Sequence, residues 1–310
     1  MSFDGLLAIL RKLRLSGLAE SFWLLLTLIV ICGLGVGAYH PEAARVANQL
    51  AGDRKATGVA WFTIGGNLGF ALGPLAVALF VPVLDERTSL VVLVPGAIAC
   101  AVIALSHHRV ALPVTSTATS RRAGRSDVTG MALLVTAVSL RTWVQLGLMT
   151  IVPLYLTAER GLSDREQGLA IFAFLLTGSV GTFVGSAVAD RIGGKRMLAG
   201  SVPFAAPCIA GFILMDGAAG IVALSAGGFI LMASFASTVV MGQEYMPHRL
   251  ALAASLVLGF GAIGSATPWL PAIGAIADAY GRETAMWVLA ALPLLCGAVA
   301  LALPRSRARM

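Results

Sequence analysis

The chain has 310 residues, of which 58% are hydrophobic and only 12% are charged, and its formal net charge is +7. Soluble domains carry about 25% charged residues, so this composition excludes a water-soluble globular protein and indicates a polytopic membrane protein. The excess of basic residues lies in short loops, where it is an orientation signal and not a nucleic-acid-binding surface. The four cysteines show no metal or redox spacing, and no nucleotide-binding, zinc-site or catalytic-triad pattern is present. We therefore expect no metal, no cofactor, no nucleic-acid partner and no enzymatic activity.

Nine apolar stretches are long enough to cross a bilayer, and helix is the plausible form at these lengths because lipid offers no partner for open backbone groups. In chain order, spans 1 to 9 lie near residues 22–40, 57–83, 88–106, 129–157, 165–189, 197–215, 219–243, 250–277 and 284–304. The sequence thus predicts an all-α protein in four parts. These are a basic, amphipathic N-terminal segment (1–21), a three-span bundle (22–106), a polar linker (107–128) and a six-span bundle (129–310).

The distribution of Lys and Arg predicts which ends of the spans face the cytoplasm. With the carboxyl terminus inside, the inner loops hold 14 basic residues and the outer segments hold 7. This bias favours a cytoplasmic carboxyl terminus in a bacterial inner membrane. Arg11, Lys12 and Arg14 oppose it, because nine crossings put the amino terminus outside. The side of residues 1–21 therefore stays open.

Two internal repeats organise the spans. The pattern Ala-Asp-x-x-Gly occurs at 189–193 and again at 277–281, 88 residues later. Three spans fit between the copies, so they lie on opposite faces of the bilayer, as in the inverted repeats of secondary transporters. A second correspondence, between the glycines of spans 2 and 8, relates spans 1–3 to spans 7–9. A complete array would have three further helices before residue 20 and twelve in total.

Several motifs resemble one transporter family. The most specific are Ala38-Tyr39-His40-Pro41-Glu42-Ala43-Ala44-Arg45-Val46-Ala47 and Gly65-Gly66-Asn67-Leu68-Gly69-Phe70-Ala71-Leu72-Gly73-Pro74, followed by Ser139-Leu140-Arg141, the Asp190 loop and Gln243-Glu244-Tyr245-Met246-Pro247. With these residues, the chain resembles the major facilitator superfamily, specifically its fosmidomycin-resistance type of drug exporter, from about residue 20 to 304. The resemblance implies family helices four to twelve: a three-helix remnant of the amino half and an intact six-helix carboxyl half.

The resemblance also implies a function. It predicts a secondary active transporter, with proton-coupled efflux of a small drug-like or anionic compound, and a central cavity lined by spans 1, 4 and 7. Its partners would be the lipid bilayer, the substrate and protons. Because three helices are missing, an alternative is a truncated, non-transporting membrane protein, or a half-bundle that needs a second chain. A membrane enzyme would need clustered acids or histidines at one interface, and the sequence shows isolated ones.

Arg141 is the sharpest candidate for a functional residue. It lies some twelve residues into span 4, about 18 Å along a helix. A cation at such depth costs roughly 2.5–3.5 kcal/mol on insertion. We therefore expect it to face a polar cavity or a carboxylate, with Gln145 one turn later on the same face. The functional interpretation is an anion-attracting or proton-linked residue, and the structural one is a bridge to backbone carbonyls or to an acid of another helix.

Other polar residues at the span ends are candidates for substrate binding or coupling. Glu42 and Glu244 end spans 1 and 7, where a partly desolvated carboxylate can exchange protons, and the alternative is an ion pair with a nearby arginine. His40 adds a titratable group beside Glu42, and Gln243 lies beside Glu244. Asn67 either lines the cavity or makes an interhelical hydrogen bond.

Two further groups of residues have structural or gating roles in this interpretation. By resemblance, the loop that contains Asp190, Arg191, Lys195 and Arg196 latches the two halves on the cytoplasmic side, and Asp278 with Arg282 is a degenerate outer copy. Close helix packing is expected of the small-residue stripe of span 2, which consists of Gly65, Gly66, Gly69, Gly73 and Pro74.

Overall fold

The computed structural model describes residues 23–24, 26–27, 30–31, 65–66, 68–76, 78–80, 88–106 and 126–304. The chain divides into two compact units, residues 1–119 and 120–310. In the first unit the described residues between 65 and 80 are helical, and helix α1 spans Thr88–Ser106, the bounds predicted for span 3. Most of span 1 and the predicted residues His40, Glu42 and Asn67 lie outside the described residues.

The second unit is an all-helical bundle. Its helices are α2 (Val128–Arg160), α3 (Asp164–Ile192), α4 (Gly194–Ser201), α5 (Ala205–Leu214), α6 (Gly217–Met232), α7 (Phe235–Tyr245), α8 (Leu250–Ala254), α9 (Ala266–Tyr280) and α10 (Arg282–Ala302). A 3-10 turn at Val202–Phe204 joins α4 to α5, and a π-helical segment at Ser255–Gly264 joins α8 to α9. Among the described residues, six helices are long and apolar enough to cross a membrane, and they correspond to predicted spans 4–9.

Side chains and glycines at the helix ends satisfy the backbone groups that have no partner within a helix. The Asp127 carboxylate accepts a hydrogen bond from the Gly130 N–H at 2.8 Å and begins α2. Ser163 and Glu166 form a capping box at the start of α3, so two more backbone donors are paired. These local signals separate α2 from α3 with a turn of three residues, which places the two helices side by side.

The contacts between helices follow the inverted repeat. Span 4 (α2) packs on the second and third spans of the other triplet, the π-helical segment with α9, and α10. Span 7 (α6 and α7) packs on the second and third spans of the first triplet, α3 and α5. The third spans, α5 and α10, contact each other. The first helix of each triplet thus packs on the second and third helices of the other.

The two copies of the Ala-Asp-x-x-Gly loop have the same backbone conformation. Gly193 has φ 91° and ψ 147°, and Gly281 has φ 91° and ψ 156°, a region that is essentially restricted to glycine. The Gly193 N–H donates to the Ala189 carbonyl at 2.8 Å, and the Gly281 N–H donates to the Ala277 carbonyl at 3.1 Å. Three membrane-capable helices separate the copies, as the sequence predicts.

Candidate functional site

Arg141 lies in α2 and points into the bundle toward span 7. Its side chain is 1% exposed and belongs to the largest fully buried side chains of the described residues. Nη1 contacts the Met232 sulfur at 3.8 Å, and Cζ lies 5.1 Å from the centre of the Phe235 ring. Met232 ends α6 and Phe235 begins α7, so the guanidinium lies at the point where span 7 is interrupted.

Arg141 has no anionic partner among the described residues. No carboxylate forms an ion pair with it there, it donates no hydrogen bond to a carbonyl, and its Nε is buried without a partner. The sequence led us to expect a polar cavity, a carboxylate or carbonyl partners, and the described contacts of the guanidinium are with an aromatic ring and a thioether. A buried charge without an ionic partner costs several kcal/mol, so we expect this residue to reduce the stability of the bundle.

The interruption of span 7 is a residue pair, Ala233 and Ser234. The Ser234 hydroxyl is 0% exposed and has no hydrogen-bond partner. Sequence reasoning missed this residue, because a serine in an apolar stretch is ordinarily bonded to the carbonyl one turn earlier. No proline or glycine marks the break, so the sequence contained no signal for it.

Span 7 is held close to α3 by glycines. A Cβ atom at Gly181 or Gly185 would overlap the carbonyl oxygens of Phe229 and Ala233, respectively. The Thr182 hydroxyl donates to the carbonyl of Met232 at 3.3 Å, which replaces a bond that the interrupted helix lacks. The break beside Arg141 is therefore fixed by the neighbouring helix.

The remaining described candidates lie apart from Arg141. Gln145 is half-buried, one turn further along α2, whereas Gln243 and Glu244 are half-buried in the last turn of α7. From Phe235 to Glu244 the helix rises about 13 Å. Arg141 and Gln145 therefore share one helix, and Glu244 lies near the end of the bundle.

At that end of the bundle lie the last residues of the linker, the connection after span 5 and the carboxyl end of α10. The Asp127 N–H donates to the Tyr245 carbonyl at 2.8 Å, and the Tyr245 hydroxyl donates to the Pro304 carbonyl at 2.9 Å. Lys195 donates to the carbonyl of Leu303. Lys195 thus caps the last helix of its own unit.

The structure gives positions for the other residues proposed for gating and packing, but it does not test their roles. Asp190 and Arg191 are exposed in the last turn of α3, and Arg196 is exposed in the first turn of α4. An added Cβ at Gly65, Gly66, Gly69 or Gly73 would meet no atom within 4 Å. Pro74 is half-buried. Gating by the loop and close packing of this stripe stay predictions.

The opposite end of the bundle has a half-buried arginine, Arg160, and a cavity of about 640 Å³. Arg160 donates to the carbonyls of Phe212 at 2.7 Å and Ile213 at 3.2 Å, and it forms an ion pair with Asp216 at 3.3 Å. Glu159 and Glu166 line the cavity with it. Arg160 has an anionic partner and two carbonyl partners, in contrast to Arg141, and lies about 28 Å further along α2.

A pair of tryptophans joins span 4 to span 8. The rings of Trp143 and Trp269 stack at 4.8 Å between centroids and 7° between planes. The Trp143 indole donates to the Ser265 carbonyl at 2.9 Å, and the Trp269 indole donates to the Trp143 carbonyl at 3.0 Å. Sequence reasoning missed this pair. Trp143 lies two residues after Arg141 in α2, and its contacts with Trp269 hold α2 against α9.

Comparisons with known proteins agree with the motifs and the fold. The model of the Major Facilitator Superfamily matches residues 5–268 and, in a second alignment, 134–309. The fosmidomycin resistance protein of Escherichia coli (strain K12) is 29% identical, over 98% of this chain and 76% of that protein. The uncharacterized MFS-type transporter YfnC of Bacillus subtilis (strain 168) is 31% identical, over 92% of this chain and 72% of that protein. The chain therefore belongs to the major facilitator superfamily and is a multi-pass membrane transporter of the fosmidomycin-resistance type.

Proposed function

We propose that this transporter exports a small, anionic, drug-like compound from the bacterial cytoplasm and that Arg141 binds the negative charge of the substrate. One observation carries the proposal: Arg141 is fully buried between spans 4 and 7 and has no carboxylate partner among the described residues. A desolvated guanidinium attracts an anion strongly, because the charge is screened little at this depth. The relative named for fosmidomycin resistance supports a drug as substrate.

The proposal places nine spans in the inner membrane, with the amino half contributing spans 1–3 and the carboxyl terminus in the cytoplasm. Export is driven by protons, which Glu42 with His40, and Glu244 beside Gln243, take up at the ends of spans 1 and 7. The Asp190 loop, with Arg191, Lys195 and Arg196, gates the inner side. Gln145 and Asn67 line the path, and the glycines before Pro74 let span 2 pack closely.

The substitution Arg141→Met tests the role of the charge. Resistance to fosmidomycin should be lost in cells that express the full chain, because the substrate anion loses its counter-charge. The unfolding temperature of the purified protein should be unchanged or higher, because an unpaired buried charge is removed at similar volume. The control Arg165→Met removes an exposed arginine at the start of α3 and should alter neither quantity.

Two results would contradict this account. Full resistance in Arg141→Met would exclude substrate binding by this residue, and a large fall in its unfolding temperature would assign it a structural role.

Proton coupling is tested with the substitution Glu244→Gln in everted membrane vesicles. These vesicles should bind substrate but lose transport driven by a pH gradient. Unchanged gradient-driven transport would exclude Glu244.

A further inference from the structure

The carbonyl groups at the break between α6 and α7 already have partners. The Met232 carbonyl accepts from Thr182, and the Ser234 carbonyl accepts from the Thr238 N–H at 3.1 Å and from the Ser237 hydroxyl at 2.9 Å. Hydroxyl groups from α3 and α7 thus satisfy acceptors that an interrupted helix would leave open. The Met232 and Ser234 carbonyls at the break are therefore not free to bind a hydrogen-bond donor of a ligand.

Hydrogen-bond donors at the same break remain unpaired. Arg141 Nε and the Ser234 hydroxyl are the two buried side-chain polar atoms without a partner in the described part of the chain. Both side chains are at least 99% buried. Backbone N–H groups in the first turn of α7 also point back toward the break, as at the start of any helix, and carry partial positive charge.

One edge of the guanidinium has no hydrogen-bond partner among the described residues. Phe235 covers its face, with 5.1 Å from Cζ to the ring centre, and the Met232 sulfur contacts Nη1. Nε, on the remaining edge, is buried and has no hydrogen-bond partner among the described residues. A guanidinium binds an oxyanion best through such an edge, with two parallel N–H···O bonds.

We propose that Arg141, Ser234 and the first turn of α7 form an occluded subsite for the oxyanion group of the substrate, a phosphonate or carboxylate. This inference rests on the proposed function and adds the second ligand, the Ser234 hydroxyl. An excess of donors selects a group that only accepts hydrogen bonds, so an oxyanion is favoured over a neutral amide or alcohol. Phe235 is a positioning residue, because it orients the guanidinium plane without contact to the anion.

The test uses the full chain in lipid nanodiscs and two small probes, methylphosphonate and its neutral dimethyl ester. Ser234→Ala should weaken methylphosphonate binding roughly tenfold or more, since one bond to a charged group is lost. Its unfolding temperature without ligand should be unchanged, because that hydroxyl makes no hydrogen bond there. Ser179→Ala in α3 is the matched control: affinity should stay within about twofold, because this half-buried hydroxyl donates to the Leu175 carbonyl of its own helix at 2.9 Å and lies outside the subsite. The ester should bind neither protein measurably.

Failures of the subsite and of the proposed function are distinguishable. If Ser234→Ala binds methylphosphonate like the unsubstituted protein while Arg141→Met does not bind it, the subsite is wrong and the role of Arg141 stands. If the unsubstituted protein does not bind methylphosphonate, or Arg141→Met binds it equally well, both are wrong. A Ser234→Ala protein that fails to fold also overturns the subsite, since an unpaired hydroxyl should be dispensable for folding.

Discussion

The buried Arg141 and the half-buried Arg160 of α2 have opposite environments, so their substitution should have opposite effects on stability. Arg160 donates to two carbonyls and stacks on the Phe212 ring at 4.9 Å. Arg160→Met should lower the free energy of unfolding by about 2–3 kcal/mol, because two carbonyls lose a charged donor. Asp216→Asn should cost less than about 1 kcal/mol, since Asp216 is 92% exposed. Chemical unfolding in detergent measures the free energy of unfolding of both variants. Equal losses would show that the ion pair with Asp216, and not the bonds to the carbonyls, accounts for the contribution of Arg160.

The difference between Arg141 and Ser234 shows what the sequence reveals of the site. An arginine in an apolar stretch is conspicuous because every insertion scale penalises it, so Arg141 was predicted at once. A serine is neutral on such scales and normally bonds within its own helix, so Ser234 gives no signal until the helix is seen to break. The absence of a carboxylate partner for Arg141 among the described residues likewise depends on packing between distant segments, which hydropathy does not encode.

At the scale of elements, hydropathy predicted the extent of spans 4–9 but not their interruptions. Pro203 explains the 3-10 turn in span 6, because proline removes a helix hydrogen bond. The break in span 7 and the π-helical segment in span 8 contain no proline. The break is shaped by α3, whose glycines admit the span 7 backbone and whose Thr182 bonds the Met232 carbonyl. Such a kink is a tertiary effect, and no local pattern indicates it.

The contact between α3 and span 7 makes a sharp prediction. In Gly185→Ala the new methyl group would overlap the Ala233 carbonyl, so the helices must separate beside Arg141. We expect a loss of about 1–3 kcal/mol in unfolding free energy and a matching fall in folded yield. Gly200→Ala in α4 has no atom within 4 Å of the new Cβ and should be neutral or slightly stabilising. Size-exclusion profiles and thermal unfolding measure the folded yield and the stability of the two variants. A Gly185→Ala protein as stable as the unsubstituted one would show that α3 and span 7 pack less closely than described.

At the scale of the whole molecule, the two five-residue motifs from which a duplication is predicted share their backbone angles in the carboxyl unit, and the first helix of each triplet there packs on the other triplet. Such repeats can be recognised in a sequence because a loop whose backbone requires a positive φ needs glycine at the same position in both copies. The described residues do not extend the comparison to span 1, so the correspondence of spans 1–3 with spans 7–9 stays a prediction.

The duplicated loops allow stability and gating to be separated. Gly193→Ala and Gly281→Ala place a side chain at the same φ of 91°, so each should lose about 1–3 kcal/mol of unfolding free energy, and the two losses should be similar. Their effects on transport should differ. The first loop also contains the proposed gating residues Lys195 and Arg196, and Lys195 holds the end of α10, so Gly193→Ala should slow substrate efflux more strongly. Efflux rates from vesicles with equal amounts of folded protein make the comparison. Equal slowing by both substitutions would mean that the loops have only a structural role, because strain alone then explains the loss.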